Sequence, residues 1–162
     1  MGSLLSRGGI EEAPGSGAAL ERMLLYMEEA WPWEACGALF VLAAGAWAWQ
    51  PMENVACCPR QAFVFGEGWL SLLCEAEQRQ STLVCLAHSH PGGEAQLSPA
   101  DLQSLAPEGI LLWPQVWQVV VATGEEGWRE LSWFEPQGGG FECKGRWSRA
   151  CFEARKKGRS EL

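Results

Sequence analysis

The stretch Leu83-Val84-Cys85-Leu86-Ala87-His88-Ser89-His90-Pro91, followed after six further residues by Ser98-Pro99-Ala100-Asp101, decides the reading of this chain. Its apolar half predicts a buried strand over Leu83–His88 that runs straight into the histidines. Side chains two apart on an extended strand share a face. His88 and His90 can therefore aim their imidazoles at one point, at the ~2.0–2.1 Å that zinc prefers. Cys85 has the opposite parity and turns away. Pro91 stops the strand, and Gly92-Gly93 lets the chain fold back. Ser98, Pro99 and Asp101 then suit the N-cap, N1 and N3 positions of a helix with a capping box. Asp101 thus arrives from a first helical turn as a third, oxygen ligand. Two neutral imidazoles and one carboxylate leave a tetrahedral position open, as catalytic zinc sites do. Each part also has a purely structural reading: two histidines as surface or core polar groups, Asp101 as a cap. Together, at this spacing, they exceed it.

The inventory sharpens the point. His88 and His90 are the chain's only histidines, and Asp101 is its only aspartate beside 19 glutamates. At 162 residues, with 48% apolar and 20% charged side chains, the chain suits one ordinary domain with a real core. A net charge of −8 argues against a nucleic-acid groove. That charge is uneven, with net −13 over residues 1–143 and net +5 over 144–162. Seven cysteines without a C-x-x-C pair fit neither a disulfide framework nor a zinc knuckle. Cys36, Cys74 and Cys85 lie in apolar stretches, where a free thiol behaves as a small hydrophobe. A reducing, cytoplasmic setting is the expectation. The opening MGSLLSRGGIEEAPGSG has no apolar run of signal-peptide length. The longest apolar run, Ala35–Trp49, is shorter than the roughly 20 residues of a spanning helix and reads as buried sheet. Neither nucleic acid nor membrane is expected as a partner. The ten tryptophans beside one tyrosine carry no functional reading.

Along the chain, residues 1–17 read as a flexible lead-in and residues 18–137 as the catalytic domain. Residues 138–162 read as a glycine hinge, Gly138-Gly139-Gly140, and a dispensable basic tail that forms a loose helix. Leu20, Met23, Leu24 and Met27 recur at helical spacing over 18–30, and Pro32 ends that helix. Strands are expected at Cys36–Val41, Ala46–Trp49 and Phe63–Phe65, and a helix over Gly68–Glu77. Val116–Ala122 and Trp128–Phe134 read as paired strands. The mixture predicts one α/β domain with a mixed or mostly antiparallel sheet.

The string His88-Ser89-His90-Pro91-x6-Ser98-x2-Asp101 resembles the JAMM motif of MPN-domain zinc peptidases at every motif position. Glu34-Ala35-Cys36-Gly37 is similar to a segment common in prokaryotic members, and Asn54 … Pro59 … Phe63 follows in the family's style. The resemblance spans about residues 18–135. It implies an α/β, three-layer MPN fold of cytidine-deaminase-like architecture, with a mixed central sheet flanked by helices. It also implies one zinc ion per chain, held by His88, His90 and Asp101. Glu34 would hold the attacking water, take its proton and pass it to the leaving amine. Ser98 would hydrogen-bond the oxyanion.

That resemblance points to cleavage after the C-terminal glycine of a ubiquitin-like protein, either a free precursor or a conjugate. A bacterial antiphage system is one expected setting, with E1/E2-like proteins as further partners. The short chain leaves residues 102–115 as the candidate substrate-contacting loop. Two other readings stay open: a non-catalytic MPN scaffold, and a zinc amidohydrolase acting on another peptide or small-molecule amide. Cleavage of a ubiquitin-like fusion separates them.

Overall fold

The computed structural model describes residues 16–56, 58 and 61–160. The expected lead-in, up to residue 15, lies outside the described residues, as do Cys57 and Pro59. Helix α1, Gly17–Glu29, buries Leu20, Met23, Leu24 and Met27 along one side, as its 3.6-residue periodicity predicts. Strands β1 (Cys36–Val41) and β2 (Trp47–Met52) form a hairpin from the long apolar run. Gly37 is required there, because a methyl group at that position would overlap the Trp49 ring. Then follow α2 (Gly68–Gln78), β3 (Thr82–Pro91), α3 (Pro99–Leu105), a short 3-10 turn (Pro107–Gly109) and β4 (Trp117–Gly124). Strands β5 (Gly127–Gln137) and β6 (Gly140–Ser148) and helix α4 (Arg149–Ser160) complete the chain.

The six strands form one mixed sheet in the order β2-β1-β3-β4-β5-β6. Only β3 and β4 run parallel, with His88 level with Val120 and His90 with Ala122. A parallel pair needs a crossover. The segment between them supplies it and carries α3 over one face, with Asp101 in the helix's first turn.

Parity sorts the core into two layers. Ala35 just before β1, Leu39 of β1, Cys85 and Ala87 of β3, Val119 and Val121 of β4, and Leu131 and Trp133 of β5 form one layer with α1. Phe152 of α4 joins the same layer. On the other face, Ala38, Phe40 and Leu86 meet Trp69, Leu72 and Ala76 of α2 and Leu105 of α3. The expected three-layer α/β architecture is therefore observed. No helix among the described residues is long and apolar enough to cross a membrane.

Two expectations need correction. Phe63–Phe65 is not a third strand: Phe65 makes a single antiparallel bridge to Asn54, and the segment is otherwise irregular. Phe63 stacks on His88 and Phe65 on Trp69, in place of a ladder partner. Gly138–Gly140 is not a hinge ahead of a loose tail. Gly138 takes a positive φ of 60° in the turn that joins β5 to β6. The sheet continues through β6, where Leu131 pairs with Trp147. Helix α4 is clamped back by Arg149, whose guanidinium lies 2.6 Å from the Glu28 carboxylate.

Candidate metal centre

The site lies at the C-terminal end of the parallel pair, where open α/β sheets commonly bind ligands. Strand β1 is antiparallel to β3, with Cys36 opposite His88. Continuing that register by two residues places Glu34 opposite His90, on the histidines' face. Ser89, between the two histidines, fixes this register. Its backbone N–H donates to the Ala35 carbonyl at 2.9 Å, and its Oγ accepts from the Ala35 N–H at 2.9 Å. Cys85 points into the opposite, α1-facing layer, as its parity predicts.

Asp101 reaches the histidines from α3. Ser98 is the N-cap and closes a capping box: its Oγ accepts from the Asp101 N–H at 3.1 Å, and its N–H donates to Asp101 Oδ2 at 2.7 Å. The box fixes the carboxylate's aim. Oδ1 sits 3.4 Å from His88 Nε2, Oδ2 sits 3.2 Å from His90 Nε2, and the two Nε2 atoms are 3.0 Å apart. A tetrahedron with ligand bonds of ~2.0–2.1 Å has edges of about 3.3 Å. The three donors therefore fit the corners around one cation, and they are the metal-binding group found among the described residues. His90 Nδ1 lies 2.9 Å from the Glu94 carbonyl, which makes it the protonated nitrogen and leaves the Nε2 lone pair facing the centre. His88 is fully buried and stacks on Phe63, ring centroids 4.5 Å apart.

Electrostatics divide the four ionisable groups. Burial alone raises the Asp101 carboxyl, but hydrogen bonds to His88 and His90 overcome it and hold it well below the usual carboxylate range. Burial lowers His88 against the pull of Asp101. Burial also opposes a charge on His90, yet Asp101, the Glu94 carbonyl and Glu34 together raise it. Glu34 differs in kind. It is 6% exposed, its Oε2 is buried with no hydrogen-bond partner among the described residues, and burial lifts its carboxyl to about 7. His90 pulls it down and Asp101 pushes it up, so it feels the metal-binding group directly. One carboxyl is thus held ionised beside the two imidazoles, and burial lifts the other to about 7.

Asn54 is a site residue whose role local spacing did not disclose. Its Nδ2 donates to the Glu34 carbonyl at 2.8 Å and the Ala62 carbonyl at 3.0 Å. Its Oδ1 accepts from the Ala56 N–H at 3.0 Å and the Val64 N–H at 3.1 Å. One side chain therefore ties the Glu34 segment to the segment that lays Phe63 on His88. The only sequence trace of this is the Asn54 … Phe63 pairing itself. Beside Asp101, a largely apolar cleft of about 280 Å³ runs between residues 61–65 and the wall formed by Leu105, Leu112 and Trp113. Part of the expected contact loop, 102–115, lines it.

The sequence profile described as prokaryotic homologs of the JAB domain matches residues 17–134. No curated protein matches the chain. Among solved structures, it is similar to a protein of Desulfitobacterium hafniense with a TM-score of 0.59 and 20% identity, covering 78% of this chain and 85% of that one. It is also similar to a protein of Salinibacter ruber with a TM-score of 0.53 and 21% identity, covering 76% and 83%. Those likenesses agree with the fold described above, and the profile match takes in Glu34, both histidines, Ser98 and Asp101. The chain belongs to the family of prokaryotic JAB domain homologs.

Proposed function

We propose that this chain is a zinc-dependent isopeptidase or peptidase that cleaves after the C-terminal glycine of a ubiquitin-like protein. The reaction is deconjugation or precursor processing, within a bacterial ubiquitin-like system such as an antiphage operon that also encodes E1/E2-like proteins. The observation that carries the hydrolytic part is the convergence of His88, His90 and Asp101 beside the buried carboxyl of Glu34.

His88 Nε2, His90 Nε2 and an Asp101 oxygen would hold the ion, one per chain. Zinc, when bound, supplies a Lewis acid that polarises a carbonyl and acidifies water. Glu34 accepts the proton of the attacking water and delivers it to the departing nitrogen, a role suited to a carboxyl lifted to about 7. Ser98 Oγ accepts the Asp101 N–H and its hydroxyl helps hold the Asp101 carboxylate ionised, so it would turn from that carboxylate to donate to a developing oxyanion. The cleft beside Asp101 is largely apolar, which suits an extended chain entering beside the sheet.

The test is cleavage of a ubiquitin-like protein from the same genome carrying a C-terminal extension. Zinc-loaded protein should release a product ending at glycine by mass spectrometry, and a chelator should abolish the release. No cleavage of any such fusion, alongside hydrolysis of a simple peptide amide, contradicts the substrate assignment.

A further inference from the structure

The connection from α3 to β4 forms one wall of the cleft, and its backbone is strained. Glu108 and Gly109 are consecutive left-handed residues, with φ of 54° and 76°. Glycine adopts that conformation freely, whereas the Cβ of a glutamate there crowds the backbone. Strained residues persist where the surroundings hold them. Within the connection, Gly109 N–H donates to the Ala106 carbonyl at 3.0 Å and Leu112 N–H to the Leu105 carbonyl at 3.1 Å.

Further support comes from the β5–β6 turn. Gly139 backs directly onto Gly109. A methyl group at Gly139 would overlap the Gly109 carbonyl oxygen and lie 3.2 Å from its carbonyl carbon and 3.4 Å from its Cα. Backbone meets backbone, so no flexible side chain can yield. Two residues on, Phe141 packs into the layer that contains Leu105, Val116 and Trp113. The hairpin thus abuts the wall at Gly109 and shares its apolar layer through Phe141. Gly139 and Phe141 both lie beyond residue 134, where the family profile ends.

We propose that the β5–β6 turn is a fixed stop for the Gly109–Trp113 wall, and that Gly139 is therefore a positioning residue that sets the width of the substrate cleft. A side chain at 139 must displace the Gly109 backbone, and Leu112 and Trp113 follow three and four residues later in a short connection. This rests on the reading of the cleft as the substrate site.

The experiment compares Gly139→Ala with Gly140→Ala in the full zinc-loaded chain. Gly140 is the matched control, since its Cβ would meet nothing within 4 Å. Amide hydrogen exchange over residues 108–113 is read alongside kinetics on the fluorogenic peptide acetyl-Leu-Ala-Gly-Gly-aminocoumarin. Gly139→Ala should speed exchange there about tenfold and raise KM about three- to tenfold, with kcat and zinc content held. Gly140→Ala should leave both unchanged. Wild-type exchange and KM in Gly139→Ala overturn the proposal, as does faster exchange without a change in KM. If Gly139→Ala does not fold, Phe141→Leu loosens the second contact and must give the same KM-selective change. A wild-type protein that hydrolyses neither this peptide nor any ubiquitin-like fusion refutes the functional reading instead. Exchange then decides the buttress alone, and unchanged exchange overturns it.

Discussion

The two faces of the sheet are built from the same strands and serve opposite ends. Toward α1 and α4, Cys85 and Ala87 of β3 join Leu131 and Trp133 of β5 in one layer with Met23 and Met27 of α1, and the layer is sealed. Toward α2 and α3, the same strand presents Leu86, His88 and His90 beneath short helices that leave a cleft. Helix α1 buries five residues, whereas α2 buries none completely. Sealing one face supplies the stability that lets the other carry buried, strongly interacting polar groups, which are costly unless paired. Alternation along β3 keeps the two tasks apart, one residue at a time.

If the division holds, damage to each face has its own signature. The largest effect is expected at Glu34. Glu34→Gln should lower turnover by ~10²–10⁴-fold while the chain keeps its metal and fold. Near-normal turnover would refute the proton-transfer role of Glu34. On the sealed face, Met23→Ala should cost ~2–5 kcal/mol of stability by denaturant titration, with metal content and turnover of the folded protein unchanged. A loss of metal there would mean that the faces are not independent.

Asn54→Ala should act between these extremes. It strips hydrogen bonds from the Glu34 and Phe63 segments together, a loss of about 1–3 kcal/mol. Turnover should fall by roughly 10–100-fold with metal retained. An equal effect of Asn54→Ala in the Glu34→Gln background would show that the two residues act separately. The smallest effect is linked to pH. Burial raises the Glu34 carboxyl from an ordinary 4.5 to about 7 in the folded chain, so ionising it opposes folding. In the metal-free protein, its contribution to stability is therefore intact below about 4.5 and lost as pH rises towards 7. Metal-free Glu34→Gln should then gain stability over wild type by about 1–3 kcal/mol at pH 8 and by nothing near pH 4. A pH-independent difference would contradict the buried, protonated state.

Much of this was legible because strand alternation and helix capping are local rules. The spacing of His88 and His90 revealed a shared face, Cys85 fell on the other, and Ser98-Pro99-x-Asp101 announced a capped helix carrying the third member of the candidate metal site. Glu34 was reachable only by family resemblance, since the register that brings it opposite His90 is a long-range pairing of β1 with β3. Ser89 and Asn54 act through side-chain hydrogen bonds to distant backbone, which no periodicity records. Phe63–Phe65 carried a strand's composition, but its partners are Asn54 and the His88 ring rather than a neighbouring strand. The three glycines suggested a hinge because composition does not distinguish a flexible glycine from one that makes a tight turn. The basic residues after it hid Trp147 and Phe152, which anchor β6 and α4 to the core.

The central claim is that the open face is a single metal centre built from His88, His90 and Asp101. Elemental analysis of full-length protein purified without chelator tests it most directly. Wild type should carry about one zinc per chain, as a site with three protein ligands requires. His88→Ala and Asp101→Ala should lose most of it while keeping the native circular dichroism spectrum. Stoichiometric zinc retained in the His88→Ala, Asp101→Ala double variant would place the metal elsewhere and contradict the account.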